Sequence, residues 1–211
     1  MTPEELLTTT RTVRKRLDFD RPVPRELVEQ AITLALQAPS GSNRQDWHWI
    51  VVTDPDQRAE LAKLYQRSRT TFQTWGEAPE QRYADNPARM AAHERVISSA
   101  DYLAERIGDV PVLVIPALWV PRGELPTGNQ AGLWASILPA AWSYMLAARM
   151  LGLGTAYTSV HLENEHEAGE ILGLPREVRQ AGLIPTAFYT GDSFKPARRQ
   201  PLAEVLHHDR W

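Results

Sequence analysis

The sequence predicts an α+β fold, and three observations carry that expectation. Apolar residues recur at helical spacing, with Leu27, Val28, Ile32, Leu34, Ala35 and Leu36 as one such set. Short continuous apolar runs, "WHWIVVT", "VPVLVIPALWV" and "GLIPTAFYTG", read as strands. The two kinds do not alternate in strict β-α-β order, and no GxGxxG or GxxxxGK[ST] is present, so a doubly wound nucleotide-binding fold has no support.

Taken in order, Thr2 and Pro3 open a short helix over 3–9, as N-cap and first-turn proline. Residues 24–37 read as a second helix. "WHWIVVT" is a strand, and the Asp-Pro start of "DPDQRAELAKLYQRS" opens another helix. Residues 70–95 are polar and weakly patterned, with Phe72 and Trp75 as isolated anchors, and read as a variable excursion. "VPVLVIPALWV" is a buried strand. Residues 130–150 read as one long buried helix that stops at "LGLG", where Gly152 and Gly154 suggest a C-cap. "TAYTSV" is a strand, "NEHEAGEILGL" a short helix and "GLIPTAFYTG" the last strand. The tail "FKPARRQPLAEVLHHDRW" is basic and extended, then briefly helical.

With 211 residues, 43% hydrophobic and 23% charged, the chain fits one globular domain over 1–211, with 60–100 as a variable lid or excursion. A net charge of −3 gives no general pull toward nucleic acid or anionic membrane. The absence of cysteine excludes disulfides, thiolate catalysis and iron–sulfur clusters. "MTPEELLTTTRTVRKR" lacks the apolar core of a signal peptide, and a cytoplasmic location is expected. Between Glu124 and Arg149 lie 24 uncharged residues, long enough to span a bilayer. Pro126, Asn129, Gln130 and Pro139 interrupt them, so a helix buried in a large interface is expected there and no membrane partner.

The chemistry candidates are few. "TRTVRKR" gathers Arg11, Arg14, Lys15 and Arg16, which suits either a phosphate site or a solvated basic turn. "KPARRQP", with Lys195, Arg198 and Arg199, either completes such a site, in this chain or a partner's, or is a solvated tail. The six histidines form no HExxH, and His161 and His166 are five apart, so no metal site is expected. No GxSxG nucleophile elbow occurs. "APSGSNRQDW" spends far more hydrogen-bonding residues than a plain helix-to-strand connection needs, and reads as a loop built to hold something.

Five segments together resemble the nitroreductase-like FMN enzymes: "TRTVRKRLDFDRPVP", "ALQAPSGSNRQDWHWIVV", "LAARMLGLGTAYTS", "EILGLPREVRQAGLIPTAFYTG" and "KPARRQPLAEVL". The resemblance implies a central, mostly antiparallel sheet flanked by helices. It also implies a domain-swapped-type homodimer holding two FMN molecules at its interface. Arg11, Thr12, Val13 and Arg14 match the flavin-binding box; Arg11 is the candidate for the phosphate, and Arg14 for the phosphate or the N1/C2-carbonyl edge. Pro39, Ser40, Ser42, Asn43 and Gln45 match the loop that wraps the flavin. Leu138 and Pro139 fall where the ring is lined, and Thr158, Ser159 and His161 near its N5 side. Arg199, with Arg198 beside it, matches the C-terminal phosphate-binding arginine.

Four departures from the family pattern stand out. Thr10 and Thr12 replace an arginine and a serine of the box. Asp46 replaces a proline before Trp47, Arg16 replaces a phenylalanine, and Thr158-Ser159-Val160 stands where relatives carry a proline-containing turn. The implied activity is reduction of nitroaromatics, quinones or related small electrophiles by NADH or NADPH, in a ping-pong hydride transfer through flavin N5. That scheme needs no obligatory acid–base residue. The alternatives are another flavin reaction on the same fold (dehalogenation, flavin fragmentation, azoline oxidation) or a non-catalytic flavin-binding protein. A nucleic-acid partner is not expected, because the basic patch is short and the remaining chain slightly acidic.

Overall fold

The structure is a computed structural model that describes residues 1–72 and 78–211; Trp75 lies outside the described residues. Helix starts follow their local chemistry. The Thr2 side chain accepts from Glu5 N while Glu5 answers Thr2 N, a capping box that opens α1 (Pro3–Thr9). Asp54 accepts from Gln57 N at 2.9 Å ahead of α3 (Pro55–Thr71). Between them lie β1 (Leu17–Asp18), α2 (Arg25–Ala35) and β2 (Trp47–Val52).

The segment read as a weakly patterned excursion is largely helical. After the short α4 (Pro79–Arg82), α5 runs for 20 residues (Pro87–Arg106), capped by the Asn86 side chain on Arg89 N at 3.1 Å. Its buried residues are Leu103 and Ala104, so its apolar stripe was too narrow to register, although Asn86-Pro87 is an ordinary helix start.

β3 (Val112–Trp119) is buried along nearly its whole length, as its apolar continuity predicts. The helix expected over 130–150 is two helices, α6 (Ala131–Trp134) and α7 (Leu138–Met150), broken at 135–137. Pro139 has no N–H to offer a carbonyl one turn back, and it sits in the first turn of the second helix. Ala131–Met150 is apolar enough by length and composition to cross a membrane, but only marginally, at a mean hydropathy of 1.2. α7 packs instead on α2 and the sheet through Ala141, Tyr144 and Ala148.

The strand expected at "TAYTSV" lies earlier, as β4 (Leu153–Thr155), and Thr158 touches the sheet through a single bridge to Leu183. Gly152, at φ 81°, is the left-handed cap. Gly154 is no cap: it lies in β4, where a Cβ would come within 3.1 Å of Val13. α8 (Glu165–Leu172), β5 (Val178–Gln180) and β6 (Ile184–Tyr189) complete the chain, and a short helical turn at Leu202–Glu204 ends the tail. β1 and β5 went unread because two or three residues carry no periodicity.

Every strand pairing is antiparallel. The order is β1-β6-β3-β2, with β4 also on β6 and β5 also on β3. The α+β expectation therefore holds. β2 pairs only with β3 among the described residues, which leaves its outer edge open.

Candidate functional site

The residues expected to bind a ligand fall into two clusters. The first surrounds the basic box. Val13 N donates to Thr155 O at 2.8 Å, fixing the box against β4, while Thr12 beside it is exposed. Arg11 Nη1 donates to Lys195 O at 2.7 Å, which ties the box to the tail. Arg14 is half-buried and donates through Nη1 to Ser99 Oγ at 3.3 Å; Lys15 Nζ donates to Ser98 Oγ at 3.0 Å. Burial holds the Arg14 guanidinium below its usual value, with Tyr65 opposing that shift. Arg16 grips the tail by donating to Thr190 O at 2.6 Å and Ser193 O at 2.9 Å, and lies 4.2 Å over the Phe194 ring.

Thr158 belongs to the same corner. Its backbone pairs both ways with Leu183, at 2.9 and 2.8 Å, and its Oγ1 lies 2.9 Å from the Tyr65 hydroxyl. Ser159 is half-buried beside it. His161 is fully buried, and neither ring nitrogen makes a hydrogen bond of good geometry. Desolvation lowers its pKa to about 4, opposed by Gln180 and Glu165, so it is neutral at pH 7. In this conformation His161 lies inside the fold beneath the turn, with its ring closed off from solvent.

The second cluster is the loop. Ser42, Asn43 and Gln45 all have φ between 52° and 56°, a left-handed conformation that costs a non-glycine residue roughly 1–2 kcal/mol. The loop is bonded within itself, with Asn43 N donating to Ser40 O at 3.0 Å, Arg44 N to Gly41 O at 3.1 Å and Gln45 Nε2 to Asn43 Oδ1 at 3.0 Å. Ser40 Oγ accepts from Gln45 N at 3.1 Å, Gly41 N donates to Ser136 Oγ at 3.0 Å, and Trp47 Nε1 donates to Ser136 O at 2.5 Å. Ser42, Asn43 and Gln45 are exposed, as is Pro39. Leu138, 42% exposed, and the half-buried Pro139 lie two and three residues after Ser136, so they share this end. A cavity of about 600 Å³ opens beside the loop, lined by Ser42, Leu118, Trp119, Leu125 and Leu133. Its rim carries the pairs Arg44–Asp46 at 2.7 Å and Arg122–Glu124 at 3.8 Å.

The fold keeps the clusters apart. Thr155, against the box, pairs with Thr186, which pairs with Val112; Trp47, at the loop, pairs with Leu118. Six residues of β3 separate those levels, roughly 20 Å along the sheet, and three strand spacings add roughly 14 Å across it. Arg198 and Arg199 join neither cluster: they are exposed on a tail whose last anchored stretch is 190–195.

Tyr65, Ser98, Ser99 and Ser136 were missed. Tyr65 sits at an ordinary apolar position of a helix and the serines carry no motif, so no local signal marked them. No group of metal-ligating side chains occurs among the described residues.

A sheet of this topology, a basic box against β4 and a polar loop with left-handed residues before β2 make an α+β protein whose candidate residues fall in two clusters. The sequence profile of the nitroreductase family matches residues 7–187, and the chain belongs to that family. A protein of Methanothermobacter thermautotrophicus, whose name assigns it provisionally to the NADH dehydrogenase/NAD(P)H nitroreductases, is 23% identical over 98% of this chain and 86% of its own. Iodotyrosine deiodinase of Nematostella vectensis is 24% identical over 93% of this chain and 70% of its own. Among solved structures, an FMN- and NADPH-dependent nitroreductase from Sphigopyxis sp. strain HMH has a TM-score of 0.74 at 19% identity, covering 100% of both chains. An iodotyrosine deiodinase bound to FMN and 3-iodo-L-tyrosine has a TM-score of 0.73 at 18% identity, covering 99% of both.

Proposed function

We propose that the chain is an FMN-dependent oxidoreductase that works as a homodimer, takes electrons from NADH or NADPH and passes them to a small electrophile such as a nitroaromatic or quinone. The observation that carries this is the divided site: residues 11–14 and 39–45 match one flavin-binding pattern yet stand too far apart in one chain to meet around a single ring. A second copy would bring one chain's loop to the other's box. Surfaces that call for a partner are present. β2 has an open edge, and Trp142 and Met150 on α7 are 44% and 60% exposed. The tail presents Leu202, Val205 and Leu206 to solvent. The whole of 1–211 acts as one binding unit in this proposal, in the cytoplasm.

The residues fit FMN. Arg11, Arg14 and Lys15 supply charge for a phosphate, and the loop keeps the Ser42 hydroxyl exposed and without a partner among the described residues, while Asn43 and Gln45 bond to each other at 3.0 Å. Leu138 and Pro139 offer an apolar edge for a ring, and the cavity beside the loop gives the electron acceptor a place. A bound FMN supplies reversible two-electron transfer, which no side chain provides. The protein's part is to hold, orient and exclude water; protons come from solvent.

The test is the visible spectrum of the purified protein, followed by anaerobic addition of NADH and NADPH. A yellow protein bleached by one of them, with a sedimentation mass of two chains, is the expected result. A colourless protein that cannot be reconstituted with FMN overturns the proposal. The deiodinase relatives support a second reading, reductive dehalogenation at the same site, which iodide release from 3-iodotyrosine by the reduced protein would establish.

A further inference from the structure

Tyr65 lies on α3, within the segment that the sequence marks as variable, yet its hydroxyl reaches the turn expected to face the ligand. It is 3% exposed, and its oxygen is 2.9 Å from Thr158 Oγ1. The two hydroxyls can share that bond in either direction, but the chemistry selects one. A phenol is a far stronger acid than an aliphatic alcohol and is the better donor. Burial pushes the Tyr65 pKa up, which keeps its proton in place to be donated, while the Thr158 hydrogen bond and the cations Arg14 and Arg69 oppose that shift only in part. Among the described residues the phenol has no other acceptor for its proton, and an unspent buried donor is costly.

With Tyr65 donating, Thr158 Oγ1 accepts twice, since Val160 N also approaches it at 3.4 Å. Both lone pairs are then engaged, and the proton of Thr158 has no acceptor among the described residues. Thr158 is half-buried, not enclosed, so that proton is available to whatever occupies the corner beside the box. The arrangement is stiff. The Thr158 backbone is fixed by its paired bonds to Leu183, leaving only the side-chain torsion free. α3 is pinned to the same turn, because Asn164 Nδ2 donates to Ser68 Oγ at 2.8 Å while that hydroxyl donates to Leu64 O.

We propose that Tyr65 is a positioning residue that holds the Thr158 hydroxyl as an outward-directed hydrogen-bond donor to a ring-nitrogen acceptor of the bound flavin. This rests on the function proposed above. The variable α3 segment thereby sets the polarity of the site without touching the ligand.

The test compares wild type with Tyr65→Phe, Thr158→Val, the double variant and Thr158→Ser. Each apoprotein is titrated with FMN by fluorescence quenching, and reduction of the reconstituted proteins by the preferred nicotinamide is followed by stopped flow. Tyr65→Phe and Thr158→Val should each slow flavin reduction roughly tenfold and give the same visible difference spectrum, with FMN affinity within about threefold of wild type. The double variant should be no slower than either single one, since both remove one device. Thr158→Ser, which keeps the hydroxyl, should reduce at close to the wild-type rate. Additive losses in the double variant, or a Tyr65→Phe protein with wild-type spectrum and rate, overturn the positioning role alone. A wild-type chain that takes up no FMN overturns it together with the proposed function.

Discussion

The two halves of the divided site are built in opposite ways. Around the box, Val13 is locked to Thr155, Arg14 and Lys15 are tethered to Ser99 and Ser98, and Tyr65 braces Thr158. Around the loop, three left-handed residues stand exposed, held mainly through Ser40 and Ser136. One half is tied across the fold; the other is held mostly by short-range bonds within residues 40–45. Three left-handed residues kept exposed on short-range bonds point to something outside the chain: a ligand, a second copy, or both.

The largest expected effect tests the second copy. Residues 196–211 are almost wholly exposed, whereas 190–195 are gripped by Arg16 and Arg11. Deleting 196–211 should leave the far-ultraviolet circular dichroism unchanged. It should weaken dimerisation by at least about 1,000-fold, because Leu202, Val205 and Leu206 lose about 1.5 kcal/mol of burial each in both copies. Sedimentation equilibrium reads this directly. A truncated chain that stays dimeric would move the interface to β2 or α7.

Next comes the finished half. Arg11→Ala with Arg14→Ala removes two charge-assisted contacts worth about 1.5 kcal/mol or more each, so FMN affinity should fall at least about 100-fold. The thermal midpoint should change little, because the main-chain bond from Val13 remains. If the double variant binds FMN normally, the basic box is only a solvated turn and the comparison collapses.

How much of this was legible in the sequence depended on what kind of physics each element uses. Capped helices and long apolar strands were plain: Thr2, Asp54 and the run through Ile115 carry local signals. The excess of polar residues in 39–45 was visible too, but not that Ser42, Asn43 and Gln45 would be left-handed. α5 and the break before Pro139 were missed because each needs the surrounding fold to decide between marginal local options. Tyr65 was out of reach for a different reason. Its role is a contact across 93 residues of sequence, and nothing in its own neighbourhood announces it.

His161 links the finished half to pH. Its pKa is about 4 when folded against an ordinary value of 6.5. As pH falls through 6.5 the unfolded chain takes up a proton that the folded chain refuses until near pH 4, so stability declines across that window. The loss reaches about 2.5 kcal/mol by pH 4.5. Glu165 is the charged group acting on it, and it opposes the shift only in part. Unfolding free energies from urea titrations at pH 6.5 and 4.5 should differ by about 2 kcal/mol more in wild type than in His161→Phe, since part of the loss is already present at pH 6.5. Equal slopes in the two proteins would mean that His161 is solvated.

The smallest effect is the sharpest test of strain in the loop. Glycine adopts the conformation at Ser42 without the Cβ penalty of about 1–2 kcal/mol, but it gives up roughly 0.5–1 kcal/mol of chain entropy on folding. Ser42 makes no side-chain hydrogen bond among the described residues, so Ser42→Gly changes little else. The balance predicts a gain of about 0.5 kcal/mol, a rise of roughly 1–2 °C in the midpoint for a chain of this size. FMN affinity should move the other way, falling about threefold, because a glycine loosens the loop before binding. Greater stability bought with weaker binding is what a loop strained for its ligand must show. If Ser42→Gly destabilises the protein by the same margin, the left-handed backbone is already satisfied within one chain, and the contrast between the two halves loses its meaning.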